Sequence, residues 1–241
     1  MAHGSPDNYG TSPQGFVHRV ADLAELAARL GSSDTFDRRG NVLFMDGFER
    51  GVNAWTFFPS GAGSALRLLV SPVHSGSVSG AILTGTSGGV TSSIQRSLTM
   101  PFVSRTGFEC SFCLPVLAYD FIMVMTVYQL TYEDIYILRF RNTTEEVSVI
   151  NALGNYQVIA TIPGMHADAV TWYTAKFVAD IPNRTYIRAL FNNREYDLSA
   201  IKPYPSVGTD SGRIILEIAA SASNNTNQLF PIDDIILTMN E

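Results

Sequence analysis

The apolar residues of this chain change their period near position 40. In residues 16–30, FVHRVADLAELAARL, the side chains of Val20, Leu23, Ala27 and Leu30 recur at helical spacing and form one stripe. Ala and Leu favour helix strongly, and Gly31 follows as a natural C-terminal stop. The spacing therefore predicts a short amphipathic helix, preceded by a polar arm rich in Gly, Ser, Pro and Asn over residues 1–15. A helix of about fifteen residues is marginal in water by itself. Its stripe is expected to dock, either on its own chain or on a neighbouring subunit. A polar joint, SSDTFDRRG, covers residues 32–40.

Beyond the joint the period becomes two. Tyr136, Leu138 and Phe140 alternate with Ile137, Arg139 and Arg141, and Tyr173, Ala175, Phe177 and Ala179 alternate with Thr174, Lys176 and Val178. Alternation of this kind marks half-buried strands. Further apolar runs at 121–127, 147–150, 158–162, 187–191, 214–218 and 235–239 read the same way. Asn192-Asn193 supplies a hairpin turn, because Asn tolerates the positive φ that tight turns require. Many short strands with Gly, Asn and Pro punctuation, and no interleaved helices, predict an all-β antiparallel sandwich or barrel. The expected organisation is an arm with its helix over 1–40, serving assembly or docking, and a β domain over 41–241.

Composition narrows the partners. Hydrophobic residues make up 46% of the 241 positions and charged residues 16%, which allows a sizeable core. The formal charge is −6, and sixteen basic residues are scattered rather than clustered, which argues against nucleic acid. No apolar stretch approaches the roughly 20 residues that span a bilayer, so no membrane partner is expected. The polar N-terminus shows no apolar signal core, so no classical secretory route is expected. On a strand, Cys110 and Cys113 lie about 10 Å apart with side chains on opposite faces, beyond the roughly 7 Å a disulfide allows; buried thiols are expected.

Motifs for chemistry are few. Gly85-Thr86-Ser87-Gly88-Gly89 matches the pattern of a nucleophile elbow, but that elbow joins a strand to a helix, and residues 90–98 look extended. Glu133-Asp134 and Glu145-Glu146 are adjacent pairs, which on a strand face opposite sides rather than one cleft. The histidines, His3, His18, His74 and His166, show no metal-ligand spacing, and no phosphate loop or dinucleotide fingerprint is present. The chain is expected to be non-enzymatic, with no catalytic residues.

Two regions carry a resemblance. Phe48-Glu49 with Gly51, then Trp55, then Ser75-Gly76-Ser77-Val78-Ser79, and finally Pro231-Ile232-Asp233-Asp234-Ile235 resemble the first strand, loop and last strand of carbohydrate-binding-module jelly rolls. Trp172 with Lys176, and the run Asn192 to Leu198, look like concanavalin-type sandwiches. The resemblance implies a jelly roll. It also implies a structural calcium ion held by Asp46, Glu49, the Ser75–Ser77 loop and Asp233 or Asp234, a set suited to calcium's six to eight oxygen ligands. It further implies aromatic platforms for pyranose rings, for which Trp55, Tyr119, Tyr128, Tyr132 and Trp172 are the candidates.

The first 55 residues are similar to a group of tailed-phage structural proteins with a short arm and helix before a jelly roll. That likeness implies a non-enzymatic virion protein, a capsid decoration or minor structural protein assembled in the host cytoplasm. Its partners would be capsid or other virion proteins, with a homo-oligomer such as a trimer and a contact to host polysaccharide. The alternative expectation is a carbohydrate-binding module of a secreted or surface protein.

Overall fold

Sixteen strands account for most of the computed structural model, which describes residues 39–86, 89–115, 118–129, 132–165, 168–208, 212–222 and 227–241. The expected arm and helix, with Val20, Leu23, Ala27 and Leu30, fall outside the described residues, as do Ser87 and Gly88 of the elbow-like motif. The strands are β1 (Asn41–Asp46), β2 (Thr56–Phe58), β3 (Ala65–Leu69), β4 (Ser79–Leu83), β5 (Thr91–Thr99), β6 (Arg105–Leu114), β7 (Ala118–Gln129) and β8 (Tyr132–Arg141). They continue as β9 (Glu146–Ile150), β10 (Tyr156–Thr161), β11 (Asp168–Asp180), β12 (Thr185–Phe191), β13 (Arg194–Asp197), β14 (Tyr204–Ser206), β15 (Arg213–Ala222) and β16 (Leu229–Met239).

They form two eight-stranded antiparallel sheets. The first has the order β13-β12-β11-β6-β16-β4-β3 with β1 also on β16, and the second β10-β9-β8-β7-β15-β5-β2 with β14 also on β8. The chain crosses from sheet to sheet between β1 and β2, β2 and β3, β4 and β5, β5 and β6, β6 and β7, β10 and β11, β13 and β14, and β15 and β16. Such alternation is jelly-roll connectivity.

Alternation along each strand makes the core. Phe121, Met123, Met125 and Val127 of β7 point inward, as do Phe108, Cys110, Phe112 and Leu114 of β6, and all are fully buried. Phe112 and Phe121 stack between the sheets with centroids 4.0 Å apart. Burying a side chain of this size contributes about 1.5–3 kcal/mol. Cys110 faces this core, while Cys113 lies opposite Trp172 on the outer side of β6; both are buried free thiols, as the sequence implied. The two adjacent acids of β8 also separate as expected, with Glu133 outward and Asp134 buried under Arg184, whose guanidinium meets it at 2.7 and 2.8 Å.

The ladder of the first sheet is broken at one point along β16. This strand pairs with β4 over Leu229–Ile232 and with β1 over Ile235–Met239, so Asp233 and Asp234 fall at the changeover. The ladder to β6 shifts register there, and Asp234 adopts a positive φ of 48°.

Candidate functional site

Two clusters of polar groups stand out. The first lies at the β16 changeover. The loop before β4 turns its backbone N–H groups toward two carboxylates and two of its side chains toward a third: the His74 and Ser75 N–H groups each donate to Asp233 Oδ2 at 3.1 Å. Ser77 and Val78 donate to Glu49 Oε1 at 2.6 and 3.1 Å. Asp234 accepts from Ser75 Oγ and from His74 Nδ1, both at 2.6 Å. A carboxylate only accepts, so the Nδ1 of His74 carries the hydrogen. Gly76, at φ +71°, lets the loop pass within reach of Glu49; a Cβ there would sit 2.2 Å from Oε1.

The structure thus brings together Glu49, Ser75, Ser77, Asp233 and Asp234. Asp46 is used otherwise, taking the Phe48 N–H and the Trp55 indole N–H at 2.8 and 2.7 Å. The calcium ion finds no support in this arrangement. Calcium needs a cage of oxygens, whereas the loop presents N–H groups to Glu49 and Asp233. Among the described residues no group of three or more His, Cys, Asp or Glu is placed to hold a metal ion. The donor set fits a hydrogen-bonded latch instead. Ser75 Oγ and His74 Nδ1 converge on the same carboxylate, that of Asp234.

The expected sugar platforms do not form one surface. Trp55 is in the core, 6% exposed, between Phe44 and Phe48. Its position is fixed by the Asp46 bond, so it cannot stack on a ligand. Trp172 is on the outer side of the first sheet, packed against the His74 ring at 5.3 Å. Tyr119, Tyr128 and Tyr132 each have a guanidinium over one ring face, from Arg141 (4.7 Å), Arg213 (4.5 Å) and Arg184 (4.0 Å).

The second cluster covers the outer face of the second sheet. Directly opposed residues in antiparallel strands share a face, and the register puts Phe58, Ser93, Ala219, Ile122, Arg139, Ser148 and Val158 in one row across seven strands. Six strand spacings make that row about 29 Å long. Ser93, Ala219, Arg139 and Ser148 are all buried although they point away from the core, so the row is recessed. One flank carries Gln95 and Glu217, joined by a 2.9 Å hydrogen bond. The other carries Ser221, Asp120 and Arg141.

Asp120 accepts two hydrogen bonds from Arg141, at 3.0 and 3.1 Å, with Arg139 at 3.9 Å. Arg139 also donates to Ser148 at 3.1 Å and lies over Tyr156 at 3.5 Å. Burial pulls the Arg139 pKa down, while the hydrogen bond to Asp120 holds that of Arg141 up. Exposed rings close both ends, Phe58 on β2 and Tyr156 on β10. Sequence reasoning missed this set. Its one local signal is the placing of Arg139 and Arg141 at alternate positions of an otherwise apolar strand.

No known protein family profile matches the chain, and no curated protein matches it in sequence. Solved structures do resemble it. An endo-β-1,4-glucuronan lyase from the fungus Trichoderma reesei superposes with a TM-score of 0.57 at 7% identity, over 83% of this chain and 96% of the lyase. A carbohydrate esterase of the Shiga toxin-encoding bacteriophage phi24B gives 0.54 at 13% identity, over 84% of this chain and 100% of that one. The cellulose induced protein Cip1 gives 0.50 at 14% identity, over 81% and 96%. At these identities the likeness is one of fold.

Proposed function

We propose that this chain is a carbohydrate-binding module that holds a polysaccharide on the outer face of its second sheet, without chemistry. The observation that carries the reading is the recessed row from Phe58 to Val158, with a polar pair on each flank and an exposed ring at each end. A sugar polymer offers alternating hydroxyls and apolar ring faces. Side chains that combine paired donors and acceptors with flat rings suit it, because buried hydroxyls need partners and rings supply contact area at little entropic cost. Two of the three fold neighbours bear the names of enzymes that act on carbohydrates, which supports a carbohydrate ligand.

The test is isothermal titration against a panel of oligosaccharides, repeated with Arg139→Ala, Tyr156→Ala and Phe58→Ala. Losses of roughly five- to thirtyfold are expected, since a side chain at such a contact contributes about 1–2 kcal/mol. A panel with no binding refutes the reading, as does binding that all three variants leave intact.

The phage-like first 55 residues favour a second, compatible reading, in which the module rides on a virion and touches host polysaccharide. Co-purification with assembled particles at a fixed copy number tests it.

A further inference from the structure

We infer that the polymer taken by this face is uncharged, built of neutral sugars rather than uronates or sulfated units; the inference rests on the binding face proposed above. Among the described strand positions, register assigns three cations to the outer face of the second sheet, Arg139, Arg141 and Arg213, and four anions, Asp120, Glu133, Glu146 and Glu217. Three positive and four negative charges leave a net of −1, on a chain whose formal charge is −6. A polyanion approaching such a face is repelled rather than steered in.

The guanidinium groups are also already engaged. Arg141 closes a two-point pair on Asp120, Arg139 lies between Ser148, Asp120 and the Tyr156 ring, and Arg213 covers Tyr128. A ligand carboxylate could reach Arg141 only through its spare N–H donors, beside Asp120, where two anions repel each other. A neutral sugar meets no such repulsion. An ionised carboxylate has about four lone-pair sites and a guanidinium five N–H donors, so Asp120 and Arg141 can keep their pair and still meet two adjacent hydroxyls. Gln95 with Glu217 offers a second adjoining donor and acceptor on the opposite flank.

The experiment is titration calorimetry with neutral hexasaccharides (of glucose, xylose and mannose) and with hexamers of galacturonate and glucuronate. Each is run at low and high salt, with Glu217→Gln and Asp120→Asn beside the unaltered chain. Binding of at least one neutral hexamer is expected, unchanged within about twofold by salt, because no net charge is screened. Glu217→Gln, which exchanges a charged acceptor of the face for a neutral one, should weaken it about threefold. Asp120→Asn should weaken it about tenfold, near 1.4 kcal/mol. Binding of uronate hexamers alone, weakened by salt and tightened by Glu217→Gln, overturns the inference while leaving the binding face intact. Binding of none sinks the face itself.

Discussion

Replacing Asp233 by Asn tests how the loop before β4 is held. Asp233 is fully buried and accepts three backbone N–H groups: His74 and Ser75 on one oxygen and Asp234 on the other. Asparagine can keep its oxygen on the two-donor side, but its NH2 then faces the Asp234 N–H. One hydrogen bond to a charged group is lost, worth about 1.5–3 kcal/mol, and the other two lose their charge assistance. The sum is about 3 kcal/mol, or about 6–12 °C of melting temperature in a domain of this size.

Glu49→Gln is the matched control. Glu49 receives Ser77 and Val78 on the same oxygen, so glutamine keeps both bonds, and the expected loss is below about 1 kcal/mol. Thermal melts followed by circular dichroism, in calcium and in EDTA, read both variants. A hydrogen-bonded latch predicts the same ranking in either buffer and no shift of the unaltered chain. A drop of several degrees in EDTA, abolished equally by both substitutions, refutes the reasoning and restores the calcium ion.

Three further outcomes are expected. Burial raises the Cys110 thiol pKa well above its usual value, and burial with Asp168 nearby pushes Cys113 up to about 12; neither thiol should react with a disulfide reagent at about pH 8 until denaturant is added. Burial alone would raise the Asp180 pKa, but hydrogen bonds from Asn183 and Arg105 outweigh it and hold it low. A depressed folded pKa stabilises above the unfolded value, near 3.9, and that contribution is lost as pH falls through the folded one; Asp180→Asn should flatten the stability profile only below about pH 4. Arg184→Asn, chosen because position 184 has φ 53° and Asn tolerates that region, leaves Asp134 buried and unpaired. It should cost about 2–4 kcal/mol in a urea melt.

The strands were legible where one face meets water. Tyr173 to Ala179 alternates cleanly, and Asn192 adopts the positive φ, 49°, that its turn required. The second sheet was harder to orient. Ile122, Val124, Ile135 and Ile137 make its outer face nearly as apolar as its inner one, so the period of two does not say which side is core. The binding face itself depends on strands far apart in sequence: Arg139 reaches Tyr156 only because β8, β9 and β10 lie side by side. Trp55 read as a platform from the resemblance alone, since only the structure shows its indole N–H bonded to Asp46. The acids of the latch were visible as motifs, but His74 was not, since its role appears only when β16 changes partners beside it.

The most direct measurement is a backbone amide chemical-shift map by nuclear magnetic resonance, taken while a bound oligosaccharide from the panel is titrated. Perturbations should concentrate at Ser93, Ala219, Arg139, Ser148 and Tyr156. Shifts gathered instead around Trp172 and Thr174 on the first sheet would contradict the assignment of the binding face.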